Sequence, residues 1–196
     1  MSKILEGLYT ALAASVALAV LMFLYLHGDL LADSTTGQMA AINAMIWLHV
    51  VAGILWIGLL WYFNMVQIPT MPKIPPELKP AIGKFIAPNA LFWFRWSALA
   101  TVVTGLAVAF LRGYLHEALA LQMPARTIGI GMWLALIMAF NVWFIIWPNQ
   151  KKALGIVATD DAAKAKSARI AMLTSRANFV LSLPMLYCMV SQNIAG

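Results

Sequence analysis

Two ionisable side chains, His49 and Arg95, stand well inside the apolar runs of this 196-residue sequence. A polar group that titrates is costly in hydrocarbon, so each is a candidate for function. His49 lies about eight residues into its run from the outer end, or ~12 Å at ~1.5 Å per residue. A neutral imidazole ligates haem iron and also serves as a hydrogen-bond partner inside a helix bundle. Met45, Gly53 and Trp56 follow its helical stripe at i−4, i+4 and i+7. A glycine one turn from a histidine leaves a notch where a flat macrocycle such as a porphyrin can lie against the backbone, with Trp56 as a wall. The residues alone leave a second reading open, in which His49 hydrogen-bonds across helices and Gly53 permits close packing. Copper held by His49 with a methionine or Cys188 is a third option by ligand softness, but no ligand spacing supports it.

The remaining candidates sit nearer the ends of the runs. His27 and His116 fall at the outer surface, where either a second axial ligand or metal ligand, or an ordinary helix-end histidine, is expected. Arg95, flanked by Trp93 and Trp96, can snorkel towards the inner head groups. Arg112 and Arg126 lie on the same side as His49 and are the better partners for the propionates of a porphyrin. Asn64, Asn141 and Asn178 are expected either to hydrogen-bond across helices or to line a polar path, and Pro184 is expected to kink the last run. The 8 tryptophans read mainly as an interfacial belt. There is no phosphate-binding glycine loop, HExxH, Ser-His-Asp set or carboxylate within a run, so hydrolytic chemistry is not expected.

The elements that must position these residues follow from composition. The chain is 63% hydrophobic and 10% charged, with a mean hydropathy of +0.84. A soluble domain needs roughly 25% charged residues to cover its surface, so lipid is the expected solvent. Five runs, at about 8–27, 41–66, 90–111, 128–147 and 174–193, reach the ~20 residues that cross ~30 Å of hydrocarbon as a helix. The alternation of a barrel strand is absent. The predicted fold is therefore all-α, a single domain of five transmembrane helices over residues 1–196. Lys3, the lysines between the second and third runs and those between the fourth and fifth place these segments in the cytoplasm. The N-terminus is then cytoplasmic and the C-terminus periplasmic. The +6 charge is thereby a topology signal, and no nucleic-acid partner is expected. Cys188 is the single cysteine, which excludes an internal disulfide and a covalent c-type haem. The first run is too long for a cleaved leader and reads as a retained anchor. Pro69, Pro72, Pro75, Pro76, Pro80 and Pro88 predict a stiff, extended, non-helical spacer, and residues 149–173 a cytoplasmic helical extension of the fifth helix.

Four runs, taken together, carry a resemblance: WLHVVAGILWIGLLWYF (Trp47–Phe63), FWFRWSALATVVTGLA (Phe92–Ala107), NVWFIIWPNQKKALG (Asn141–Gly155) and SRANFVLSLPMLYCMVSQN (Ser175–Asn193). They resemble the membrane domain of the cytochrome-c-linked, membrane-bound urate hydroxylase (PuuD-like) family, over the second to fifth helices. Full-length members of that family carry a longer glycine- and histidine-containing segment after the second helix and a C-terminal cytochrome c domain with a CxxCH motif. The short proline-rich connection and the absence of CxxCH up to Gly196 give the expectation of a short form that does not hydroxylate urate alone. The resemblance implies a bacterial inner-membrane redox protein, an oxidoreductase component with haem b at His49. It would exchange electrons at the periplasmic side, with a cytochrome c or a larger membrane complex as partner. The rival expectation is a non-catalytic accessory subunit of a respiratory, photosynthetic or oxygenase complex. The LHV…W.G element also resembles the small membrane protoporphyrinogen oxidases, a weaker third.

Overall fold

A computed structural model describes residues 5–27 and 34–192, with side chains over 5–26 and 37–192. Its contacts divide the chain into two units, residues 1–44 and 45–196. The first unit holds α1 (Leu8–His27) and the beginning of α2 (Ser34–Tyr62). Alanine, leucine and valine fill α1, which has no proline and shows no buried residue over its apolar window. Such a helix, apolar all round, is matched to lipid rather than to water.

In the second unit, α2 continues through a π turn (Phe63–Gln67) and two short turns to Lys73. After Ile74–Leu78 the chain is helical again, through Lys79–Ala81 and a π turn (Ile82–Ile86), into α3 (Ala87–Leu111). Then follow α4 (Leu115–Leu119), α5 (Arg126–Phe140), a third π turn (Asn141–Ile146), α6 (Trp147–Ala153) and α7 (Asp161–Ser191). The stretch expected to be an extended spacer is thus helical over most of its length, and only residues 74–78 lie outside helical turns.

The reason is a regular offset. Pro69, Pro88 and Pro148 each stand two residues after the end of a π turn. Proline lacks an amide hydrogen, and its ring clashes with the carbonyl four residues back, here that of Met65, Lys84 or Phe144. Widening that turn by one residue relieves the clash, so the helix continues where a standard α turn would break.

Four helical stretches are long and apolar enough to cross a membrane: Leu8–Leu26, Gly37–Lys73, Lys79–Leu111 and Arg126–Ala153. They contain the first four expected runs, and the chain is a helical membrane protein on this ground. The fifth run falls in α7, a 31-residue helix whose Ser175, Arg176, Asn178 and Ser182 keep it below the apolarity of the other four. Asp160 caps α7 by accepting from the Ala163 amide at 2.7 Å, so the expected helical extension is realised from Asp161 onward. The helix runs unbroken through Pro184.

Trp56, Leu60 and Phe63 pack with Leu91, Phe94, Met138, Val142, Ile146 and Met185 in the main core. Several polar side chains in and beside it are paired across helices. The Asn178 amide nitrogen donates to the Met138 carbonyl at 2.9 Å, and its oxygen accepts from the Asn141 amide at 2.8 Å. Asn64 donates to Ser175 Oγ at 2.9 Å, and the Trp61 indole to Ser182 Oγ at 3.0 Å. A second cluster of Ala109, Ala118, Ala125 and Met132 joins the end of α3 to α4 and α5. There the backbone of Gly129 sits directly against that of Ala118, so closely that an added Cβ would strike its carbonyl.

Candidate functional site

The middle of α2 brings His49, Gly53 and Trp56 onto one side of the helix, and all three line a cavity of about 760 Å³. Its other walls come from α3, α5, α7 and the residues following α3. Pockets for cofactors and ligands of drug size run to roughly 300–1,000 Å³, mostly apolar with a few placed polar groups. This cavity has that character: Trp56 and the thioethers of Met132, Met185 and Met189 are among its apolar walls. Arg112 and Tyr114 also line it. Tyr114 is half-buried, and burial pushes its phenol upward while the Arg112 guanidinium pulls the other way.

The His49 ring is held by α3. Its Nδ1 lies 2.9 Å from the Thr101 carbonyl and 3.2 Å from Thr104 Oγ1. A carbonyl oxygen only accepts, so Nδ1 carries the proton and donates, and Nε2 is left with its lone pair. This is the arrangement in which a backbone carbonyl fixes the tautomer and orientation of a ligating histidine. The ring rests on Gly105, where an added Cβ would come within 2.8 Å of Cε1. A Cβ on Gly53 would meet only the Thr101 methyl, at 3.8 Å. The glycine on which the imidazole rests is therefore Gly105, while Gly53 supplies open wall. Trp56 is fully buried, and its indole nitrogen has no hydrogen-bond partner among the described residues.

Four residues expected from the sequence thus share one cavity: His49, Gly53, Trp56 and Arg112. Met45 does not line it. Arg126 opens α5 with its side chain exposed and lies outside the lining, as does the exposed His116 on α4. The His27 side chain lies outside the described residues. Among the described residues no three His, Cys, Asp or Glu side chains gather as a metal site, and Cys188 is buried against Gly131 and is not one of the residues lining the cavity. Arg95 is not extended into open surroundings: it is 9% exposed, with its guanidinium carbon 3.4 Å above the Trp147 ring.

The sequence reading missed Thr101, Gly105 and Tyr114. Thr101, Thr104 and Gly105 make a small-residue patch within an otherwise bulky helix, a sign of close helix approach. Which helix approaches is not a local property.

Residues 119–195 match the family model described as urate oxidase N-terminal. The matched segment contains α5, α6 and α7, and so the methionine-bearing walls of the cavity, but not His49 or the α3 residues that hold it. No curated protein matches the chain. No solved structure matches it either.

Proposed function

We propose that this chain is a membrane-embedded redox module, similar in its C-terminal part to the N-terminal region of urate oxidases, that holds haem b in the cavity beside His49. The observation that carries this reading is the His49 tautomer. Nδ1–H is engaged by the Thr101 carbonyl, and Nε2, on a ring lining the cavity, makes no hydrogen bond to a described residue. The other residues fit the same group. The volume suits a macrocycle, Gly53 leaves flat wall, Trp56 closes one side, and Arg112 supplies positive charge for propionates.

A b-type haem bound there supplies one-electron transfer. His49 Nε2 would hold it, with the Thr101 carbonyl orienting the ring and raising the basicity of that nitrogen, and the apolar walls would keep water out. The distribution of lysine and arginine supports a reading in which α7 is a fifth span and the His49 end of the bundle faces the periplasm from a bacterial inner membrane. A periplasmic electron carrier or a larger membrane complex is then the partner. Arg112, a cavity residue, is the propionate partner in this reading, and Arg126 is not.

The test is a reduced-minus-oxidised spectrum and a pyridine haemochrome on the detergent-purified protein. A stoichiometric b-type signal that disappears in His49→Ala is expected. A colourless, metal-free protein overturns the redox reading and leaves a scaffold subunit in its place.

A further inference from the structure

Arg95 is the sole charged side chain buried among the described residues, and no described carboxylate pairs with it. Its neighbour is an indole: the guanidinium carbon lies 3.4 Å above the Trp147 ring, and the Lys151 ammonium stands 5.7 Å from the centre of the same ring. An aromatic face attracts a cation, but two cations gathered on one ring also repel each other. A buried charge is costly unless an opposite charge meets it, so the arrangement calls for an anion. The guanidinium can be reached. Of its nitrogens only Nη1 is sealed off, while Nε and Nη2, which donate to no described residue either, keep accessible surface within the 9% of Arg95 that stays exposed.

Depth identifies where that anion comes from. Trp147 stands 21 residues after Arg126, where α5 opens, or ~32 Å at ~1.5 Å per residue, which is one crossing of a ~30 Å hydrocarbon core. Arg95 stands 16 residues before Leu111, where α3 ends beside the start of α5, or ~24 Å. The guanidinium is therefore just inside the far edge of the hydrocarbon, and Lys151, one turn beyond Trp147, is just outside it. The flank is that of a bilayer interface: Trp93 and Trp96 are each 48% exposed, and Trp96 meets Trp143 edge-on at 5.5 Å. We infer that Arg95 and Lys151 hold the phosphate of an anionic phospholipid beside Trp147. The planar guanidinium matches two phosphate oxygens, and Lys151 adds a point charge. A head group with net negative charge answers both cations, whereas a zwitterionic one brings its own ammonium.

The site shares no residue with the His49 cavity and needs no haem, so its failure and that of the haem reading are separable. The probes are dimyristoyl phosphatidylglycerol, the matching phosphatidylcholine and inorganic phosphate, titrated into the detergent-purified full chain and counted as bound molecules by native mass spectrometry. The first phosphatidylglycerol is expected to bind roughly 10-fold more tightly than the first phosphatidylcholine, and excess inorganic phosphate is expected to leave it in place. Arg95→Gln is expected to remove most of that preference and Lys151→Gln part of it. Lys166→Gln, which deletes an exposed charge on α7 away from Trp147, is expected to keep it. Equal affinities for the two lipids in the unmodified protein overturn the proposal whether or not Arg95→Gln folds, and leave the guanidinium to a partner's carboxylate. Displacement of the lipid by inorganic phosphate overturns it too, as does a loss in Lys166→Gln as large as that in Arg95→Gln, which would mean diffuse attraction to net charge.

Discussion

The α-carbon of Gly105 lies beneath the His49 imidazole, at a separation where a methyl group would sit 2.8 Å from Cε1 and 3.1 Å from Nδ1. Real Cβ atoms do not approach that closely, so in Gly105→Ala the ring or its helix must shift, and the bond to the Thr101 carbonyl is expected to weaken. On the haem reading, loss of an outer partner of a ligating histidine typically costs 10–100-fold in affinity, and a haem affinity at least about 10-fold lower is expected for this variant. Gly53→Ala, whose methyl meets nothing nearer than 3.8 Å, is expected to retain the histidine geometry and most of the haem. Haem titrations of the two apoproteins decide it; equal losses would mean that the ring is not seated on Gly105.

Thr104 is the lesser partner of His49. Its hydroxyl also donates to the Ala100 carbonyl at 2.6 Å, whereas the Thr101 carbonyl stands 2.9 Å from Nδ1 and is part of the backbone. Thr104→Val is therefore expected to lower haem affinity by no more than about 5-fold, the worth of one ordinary hydrogen bond of ~1 kcal/mol. Haem titration of the apoprotein measures this, and a loss as large as that of His49→Ala would reassign the proton donor's partner to Thr104.

The Asn141–Asn178 pair joins the third π turn to α7, with Asn178 fully buried. Replacing Asn178 strands the Asn141 side-chain amide and takes one of two donors from the Met138 carbonyl, which also accepts from the Asn141 backbone N–H, so Asn178→Leu is expected to be the more damaging single change. Coupling energies between polar pairs in membrane bundles average about 0.6 kcal/mol and reach about 1.7 kcal/mol. A double-mutant cycle with Asn141→Leu, read by unfolding in mixed micelles, is expected to give coupling in that range. Strict additivity would show that the pair does not act together.

Gly129→Ala tests the joint between α4 and α5. The added methyl meets the backbone of Ala118, which has no flexible end to swing aside. Overpacking typically costs 1–3 kcal/mol even where side chains can adjust, and a cost at or above about 3 kcal/mol is expected here. A thermal midpoint in detergent that stays within error of the unmodified protein would show that the two helices separate freely.

Much of this architecture is written in single stretches of sequence. The apolar runs specified the first four spanning helices because the thickness of hydrocarbon demands a fixed number of apolar residues in succession. The 3.6-residue repeat placed His49, Gly53 and Trp56 on one stripe because a helix sets that relation within itself. Where neighbours outside the stretch decide, the local rules ran out. Prolines that signal an extended spacer are accommodated by π turns two residues upstream, so the helices continue through Pro69 and Pro88. Arg112 and Arg126 have equal claims by depth, yet only Arg112 lines the cavity, because rotation of a helix about its axis is fixed by what packs against it. The seat of His49 is likewise a property of packing: Thr101 and Gly105 come from a helix 52 and more residues away, and only the approach of α3 to α2 brings a carbonyl to Nδ1 and an empty α-carbon beneath the ring.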